Sequence, residues 1–154
     1  MFAWLWSAAV LAAPAPALQV QHWVSPGPVT EAPLQVVEIW ATWCGACRAS
    51  FPELTALQRS YGERLRIIAL TDDPSPVVAR LFADQKDRMG FAVATTDPQT
   101  TQAFLFGGFG GRGIPSVYAI ADGDVVWGGE PSGLRAVLAQ RLGPPALPHP
   151  DPAP

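Results

Sequence analysis

Cysteine and histidine are both scarce in this chain, two of each among 154 residues. Charge is thin as well: 15% of residues are charged, and the formal net charge is −3. No lysine or arginine precedes Arg48, and no internal repeat is present. Each shortage excludes something. A sparsely charged, net negative chain lacks the basic footprint that nucleic-acid binding requires. A closed zinc site takes four protein ligands, commonly from paired short spacings. The histidines, His22 and His149, stand near opposite ends, so the two cysteines have no second pair with which to complete one. The glycine-rich run from Gly107 to Gly113 has no phosphate-binding pattern and no lysine after it. What remains is a globular composition, 49% hydrophobic, in a length that suits one domain with a single core.

Both cysteines fall in one segment, Trp43-Cys44-Gly45-Ala46-Cys47. An apolar run from Val36 to Ala41 precedes it and reads as a buried strand. Phe51, Leu54, Leu57 and Tyr61 follow at helical spacing. A strand that enters C-x-x-C at the start of a helix, within a βαβ pattern, reads as a redox motif. The first cysteine then sits among unpaired backbone N–H groups at the positive end of the helix dipole. That setting favours the thiolate, which is the attacking species. Cys44 is the expected nucleophile and Cys47 the resolving thiol. A purely structural disulfide is the blander alternative, but a loop this small constrains the unfolded chain little.

Further residues turn the motif into a resemblance. The stretch from Glu38 to Arg48 resembles the active-site segment of thioredoxins and of TlpA-like thiol:disulfide reductases. Pro52 stands five residues beyond the second cysteine, as in that superfamily. Ile114-Pro115 matches the family's cis-proline, which faces the disulfide. The strand and hairpin after it match too, so the likeness runs over about residues 34 to 142. It implies an α/β thioredoxin-like fold, a central mixed β-sheet flanked by helices on both faces. It also implies a catalytic set of Cys44, Cys47 and Glu38, with Trp43, Gly45, Ala46, Ile114 and Pro115 at the substrate. Two departures stand out. The dipeptide Gly45-Ala46 replaces the family's Gly-Pro or Pro-Pro, and no histidine lies between the cysteines as it does in strongly oxidising DsbA-like proteins.

Glu38 is informative on its own terms. Within Val36-Val37-Glu38-Ile39-Trp40 a carboxylate is costly to bury, so it titrates high or finds a partner. A carboxyl group with a raised pKa near a thiol suits proton exchange with Cys47. The bland alternative is an exposed residue on an edge strand.

The resemblance implies reduction of protein disulfides without metal or organic cofactor. The partners are thiol or disulfide proteins and a thiol electron donor, a membrane relay being the candidate for an exported protein. A disulfide oxidase running backwards is one alternative. A non-catalytic module holding a partner or copper is another. Three regions are expected. Residues 1–17 form a signal peptide, because the apolar stretch from Phe2 to Ala13 precedes an Ala-x-Ala pattern, though the usual basic start is missing. Residues 18–142 form the domain, and residues 143–154 a proline-rich disordered tail. Export implies a periplasmic or other extracytoplasmic site, with a cytoplasmic protein as the alternative. The predicted elements are strands near 19–24, 34–41, 65–70 and 91–95 and helices over 44–61, 77–88, 98–106 (capped by Asp97) and 132–142. A hairpin turning at Asp122-Gly123 follows Pro115.

Overall fold

The computed structural model describes residues 12–146. The apolar stretch 1–11 and the end of the tail, 147–154, lie outside the described residues, and with them most of the expected signal peptide.

The sheet is built around β3 (Leu34–Ile39) and β4 (Leu65–Thr71), which pair in parallel. Both strands are apolar almost throughout, as interior parallel strands must be when both faces are covered. β5 (Ala92–Thr95) continues the parallel arrangement beyond β4. β6 (Ser116–Ala121) runs antiparallel on the other flank of β3 and turns into β7 (Asp124–Gly129). That turn uses Asp122 at φ 51° and Gly123 at φ 81°. Two successive left-handed residues suit a two-residue hairpin, and Asp-Gly accepts them readily. Two short edge strands, β1 (Ala13–Pro14) and β2 (His22–Ser25), complete the order β1-β7-β6-β3-β4-β5-β2.

Helices cover both faces, so the fold class is the one expected. On one face α1 (Gly45–Tyr61), α2 (Ser75–Gln85) and α4 (Leu134–Leu142) bury Phe51, Leu54, Val78, Leu134 and Leu138 against the strands. Trp40, Phe51 and Phe91 meet edge to face, at centroid separations of 5.2 and 5.6 Å, and pin α1 to the sheet. On the other face α3 (Pro98–Leu105) sets Phe104 over Val37, Ile39, Ile68 and Leu70. Asp97 caps α3, its carboxylate accepting the Thr100 N–H at 2.7 Å.

Described residues on either side of the expected 18–142 domain also make contacts with it. Ala13–Pro14 pairs with β7 at one edge of the sheet and His22–Ser25 with β5 at the opposite edge. The segment between them crosses the sheet, and Ala15, Leu18 and Val20 pack on the α3 side of the core. A short apolar stretch with alanines satisfies a signal-peptide pattern and an edge-strand strap equally well. At the other end, residues 143–146 are tied down. The Arg64 guanidinium donates to the Leu142 carbonyl at 2.8 Å and to the Pro144 carbonyl at 3.2 Å, and the Ala146 N–H reaches the Ser60 carbonyl. Prolines forbid helix there but leave every carbonyl free to accept.

Candidate active site

Cys44 is the N-cap of α1, directly beyond the carboxyl end of β3. In open α/β sheets this is where ligands gather. Its backbone is extended, and its Sγ accepts the Cys47 N–H at 3.1 Å, one of the donors that a helix start leaves unpaired. Cys44 and Cys47 form a disulfide, with Cα atoms 5.3 Å apart. Cys44 retains 7% exposure and Cys47 none. The outer sulfur is therefore placed for attack and the inner one for resolution.

The approach to Cys44 is braced from the neighbouring strand. Asp73, just past β4, accepts both the backbone N–H and the hydroxyl of Thr42, at 2.6 and 2.8 Å, through the same oxygen. In the sequence Asp73 is one of two adjacent aspartates before Pro74, with nothing local to connect it to Thr42.

Glu38 lies near the carboxyl end of β3, a central strand of the sheet and not an edge. Ala69 of β4 and Val117 of β6 stand opposite it in register. It is fully buried on the α1 side of the sheet, and burial pushes its pKa up to about 8 against a modest opposing effect from Ser50. The Ser50 hydroxyl lies 2.8 Å from Glu38 Oε1 and 2.6 Å from the Cys47 carbonyl oxygen. Glu38 Oε2 is buried without a hydrogen-bond partner. Ser50 is thus the link between the buried acid and the cysteine helix. Its signal in the sequence was a helical offset of three from Cys47, which means nothing until Glu38 is known to lie beneath it.

Ile114 and Pro115 are joined by a cis peptide bond and face α1 across a cavity of about 740 Å³. Ala46, Ser50, Ile114, Pro115, Ser116 and Pro131 are among its lining residues. Gly45 is exposed and lines a separate, smaller cleft with Arg48, Gln85 and Arg88. Trp43 is 74% exposed, beside a third cleft with Arg48, Val77 and Arg80. It stands out as an exposed apolar contact surface. Of the residues singled out in the sequence, Ala46, Ile114 and Pro115 share one cavity, whereas Trp43 and Gly45 open toward the α2 side. Among the described residues, no group of three or more His, Cys, Asp or Glu side chains could hold a metal ion.

The Thioredoxin family model matches residues 27–85, which include β3, the cysteine pair and α1. A solved structure from Chlorobium tepidum, assigned as the thiol:disulfide interchange protein DsbE, superposes with a TM-score of 0.61 at 26% identity. The superposition covers 85% of this chain and 94% of that one. The chain has the thioredoxin-like fold. Another structure sharing this fold is the pneumococcal exposed lipoprotein thioredoxin of Streptococcus pneumoniae, with a TM-score of 0.56 at 18% identity over 70% of this chain and 84% of that one. By sequence, the chain is 42% identical over 41 residues to a thioredoxin-like protein of Synechocystis, 27% of this chain and 38% of that relative. Across the curated relatives it matches, the shared stretch spans from about a quarter to half of their length.

Proposed function

We propose that this protein is a thiol:disulfide oxidoreductase, acting as a TlpA-like reductase of protein disulfides. The observation that carries the reading is the Cys44–Cys47 disulfide capping α1, with its outer cysteine retaining 7% exposure and its inner cysteine none.

In the reduced protein the Cys44 thiolate attacks one sulfur of a substrate disulfide. That S–S bond breaks, the first substrate thiolate leaves, and a mixed disulfide forms on Cys44. Cys47 then loses its proton to the Glu38 carboxylate and attacks the Cys44 sulfur. The second substrate thiolate leaves, and the Cys44–Cys47 disulfide forms. Two electrons have passed to the substrate, and a dithiol donor returns the pair to its reduced state. Trp43 and Gly45 offer substrate contacts on the α2 side of the cysteine pair and Ala46 on the cavity side, while the Ile114-Pro115 turn offers backbone to an extended substrate segment. An extracytoplasmic location is supported by the apolar start of the chain and by the exposed lipoprotein among the proteins of this fold. No metal or organic cofactor enters the cycle.

The test is the equilibrium potential of the cysteine pair in defined thiol buffers, followed by tryptophan fluorescence. A value near or below about −250 mV fits a reductase, and one near about −120 mV reverses the direction and makes the protein an oxidase. A pair that exchanges with no thiol buffer refutes both and leaves a binding module.

A further inference from the structure

Glu38 poses a problem that the exchange cycle does not solve. A buried acid that takes a proton from Cys47 must return it to solvent, yet neither Glu38 nor Cys47 has any exposed surface. The residues that flank Glu38 in the sheet offer no route. Ala69 and Val117 stand opposite it, and Leu134 and Leu138 of α4 close the same core. None of these can titrate or relay. From α1 it meets Ser50, whose hydroxyl touches the carboxyl on one side while its residue lines the large cavity on the other. The charged groups lining that cavity with Ser50 are Glu53, one turn further along α1, and Arg112, Glu130 and Arg135, and Glu53 and Arg135 are paired at 2.7 Å.

The hydrogen-bond count at Ser50 is decisive. A serine hydroxyl has one proton to donate and two lone pairs with which to accept. Its oxygen lies within bonding distance of two acceptor groups, Glu38 Oε1 and the Cys47 carbonyl. Both contacts become hydrogen bonds only when Glu38 is protonated. Glu38 then donates to Ser50, and Ser50 donates to the carbonyl. When Glu38 is ionised, the hydroxyl turns to the carboxylate and the carbonyl contact is lost.

We propose that Ser50 is the positioning residue that relays protons between Glu38 and the solvent-filled cavity, its single hydroxyl proton switching partner with the state of the acid. The inference rests on the oxidoreductase reading for its purpose. In each turnover Glu38 takes the Cys47 proton and passes it to the Ser50 oxygen. The hydroxyl turns its own proton from the Cys47 carbonyl toward the cavity that Ser50 lines, releases it to solvent there as the Glu38 proton arrives, and then rotates back. Atoms balance and no co-reactant is needed.

The experiment is an infrared titration of the Glu38 carboxyl band in the oxidised protein, assigned with Glu38→Gln. It is paired with the pH profile of disulfide exchange. In Ser50→Ala the midpoint of Glu38 rises by about one pH unit or more, as expected for loss of a hydrogen bond to a charged group. The exchange profile shifts with it and its maximum rate falls, whereas Ser50→Thr restores both. An unmoved midpoint, or a moved midpoint with an unmoved profile, overturns the relay. Should Ser50→Ala fail to fold, the wild-type band decides. A neutral carboxyl stretch at the position of a free, non-bonded acid overturns the proposal, and one lowered by donation to Ser50 supports it. Wild-type protein inert toward every disulfide refutes the oxidoreductase reading itself, before any Ser50 variant is compared.

Discussion

Asp73 and Thr42, thirty-one residues apart, meet at the entrance to the cysteine helix, where one carboxylate oxygen accepts from both the amide and the hydroxyl of Thr42. The contact ties the end of β4 to the turn that presents Cys44. Hydrogen bonds to a charged acceptor are among the stronger ones in proteins. Asp73→Ala leaves both Thr42 donors half-buried without their acceptor, and an expected loss of about 1–3 kcal/mol should appear in urea unfolding. Exchange at Cys44 slows as the turn loosens. Asp73→Asn keeps an acceptor oxygen and should lose less of both. Equal losses in the two variants would argue that the carboxylate's charge, not the brace, matters.

Glu38 makes stability depend on pH in an unusual direction for a carboxyl. Its pKa in the fold is about 8, above the ordinary 4.5, because burial penalises the charged form. Between those values the native protein holds a proton that the unfolded chain has released. Its contribution is therefore fully present below about pH 4.5 and lost as pH rises through about 8. Glu38→Gln keeps the shape and an acceptor for Ser50 and removes the ionisation. We expect the wild-type unfolding free energy to fall by several kcal/mol across that window, on the order set by such a shift. The variant should stay level over the same range. Its exchange rate should drop roughly a hundredfold, a typical loss for a proton-transfer group. Parallel pH curves for the two proteins would show that Glu38 titrates normally.

The strap from Ala13 to Val20 is part of the fold. β1 closes one sheet edge, and Ala15 donates its N–H to the Gly123 carbonyl at 2.9 Å. Leu18 and Val20 cover the α3 face, and the Thr96 hydroxyl binds the Gln19 carbonyl. A chain starting at Leu18 loses β1 and bares the hairpin edge, so its melting temperature should fall by several degrees, as a loss of about 1–2 kcal/mol implies. If the shorter chain is equally stable, cleavage after Ala17 is compatible with the fold.

These elements differ in how legible they were. The central strands, the helices and the hairpin followed from apolar runs, caps and Asp122-Gly123, all of which act within a few residues. The cysteine pair was legible because its chemistry is packed into four positions. Glu38 was conspicuous as a charge inside an apolar strand. Whether that strand was central or at an edge depended on pairing with β4 and β6, which no local pattern encodes. Ser50 and Asp73 were invisible for the same reason. A serine in a helix and an aspartate in a turn are commonplace, and only the fold brings them to Glu38 and Thr42.

The two cysteines should differ sharply in reactivity once reduced. Cys44 sits at the helix start with 7% exposure, and Cys47, one turn in, has none. The helix dipole and unpaired N–H groups favour the thiolate at Cys44, while burial disfavours it at Cys47. Limiting iodoacetamide should therefore label Cys44 alone, at a rate that mass spectrometry of quenched samples can follow. Labelling should proceed well below the pH at which a free cysteine, with a pKa of about 8.5, reacts at that speed. Cys47→Ser should then hold a mixed disulfide on Cys44, because nothing remains to displace the bound thiol. Cys44→Ser should trap none. Equal labelling of both cysteines, or trapping on Cys47 instead, would reverse the roles of nucleophile and resolving thiol. It would also require the helix start to open before the reaction begins.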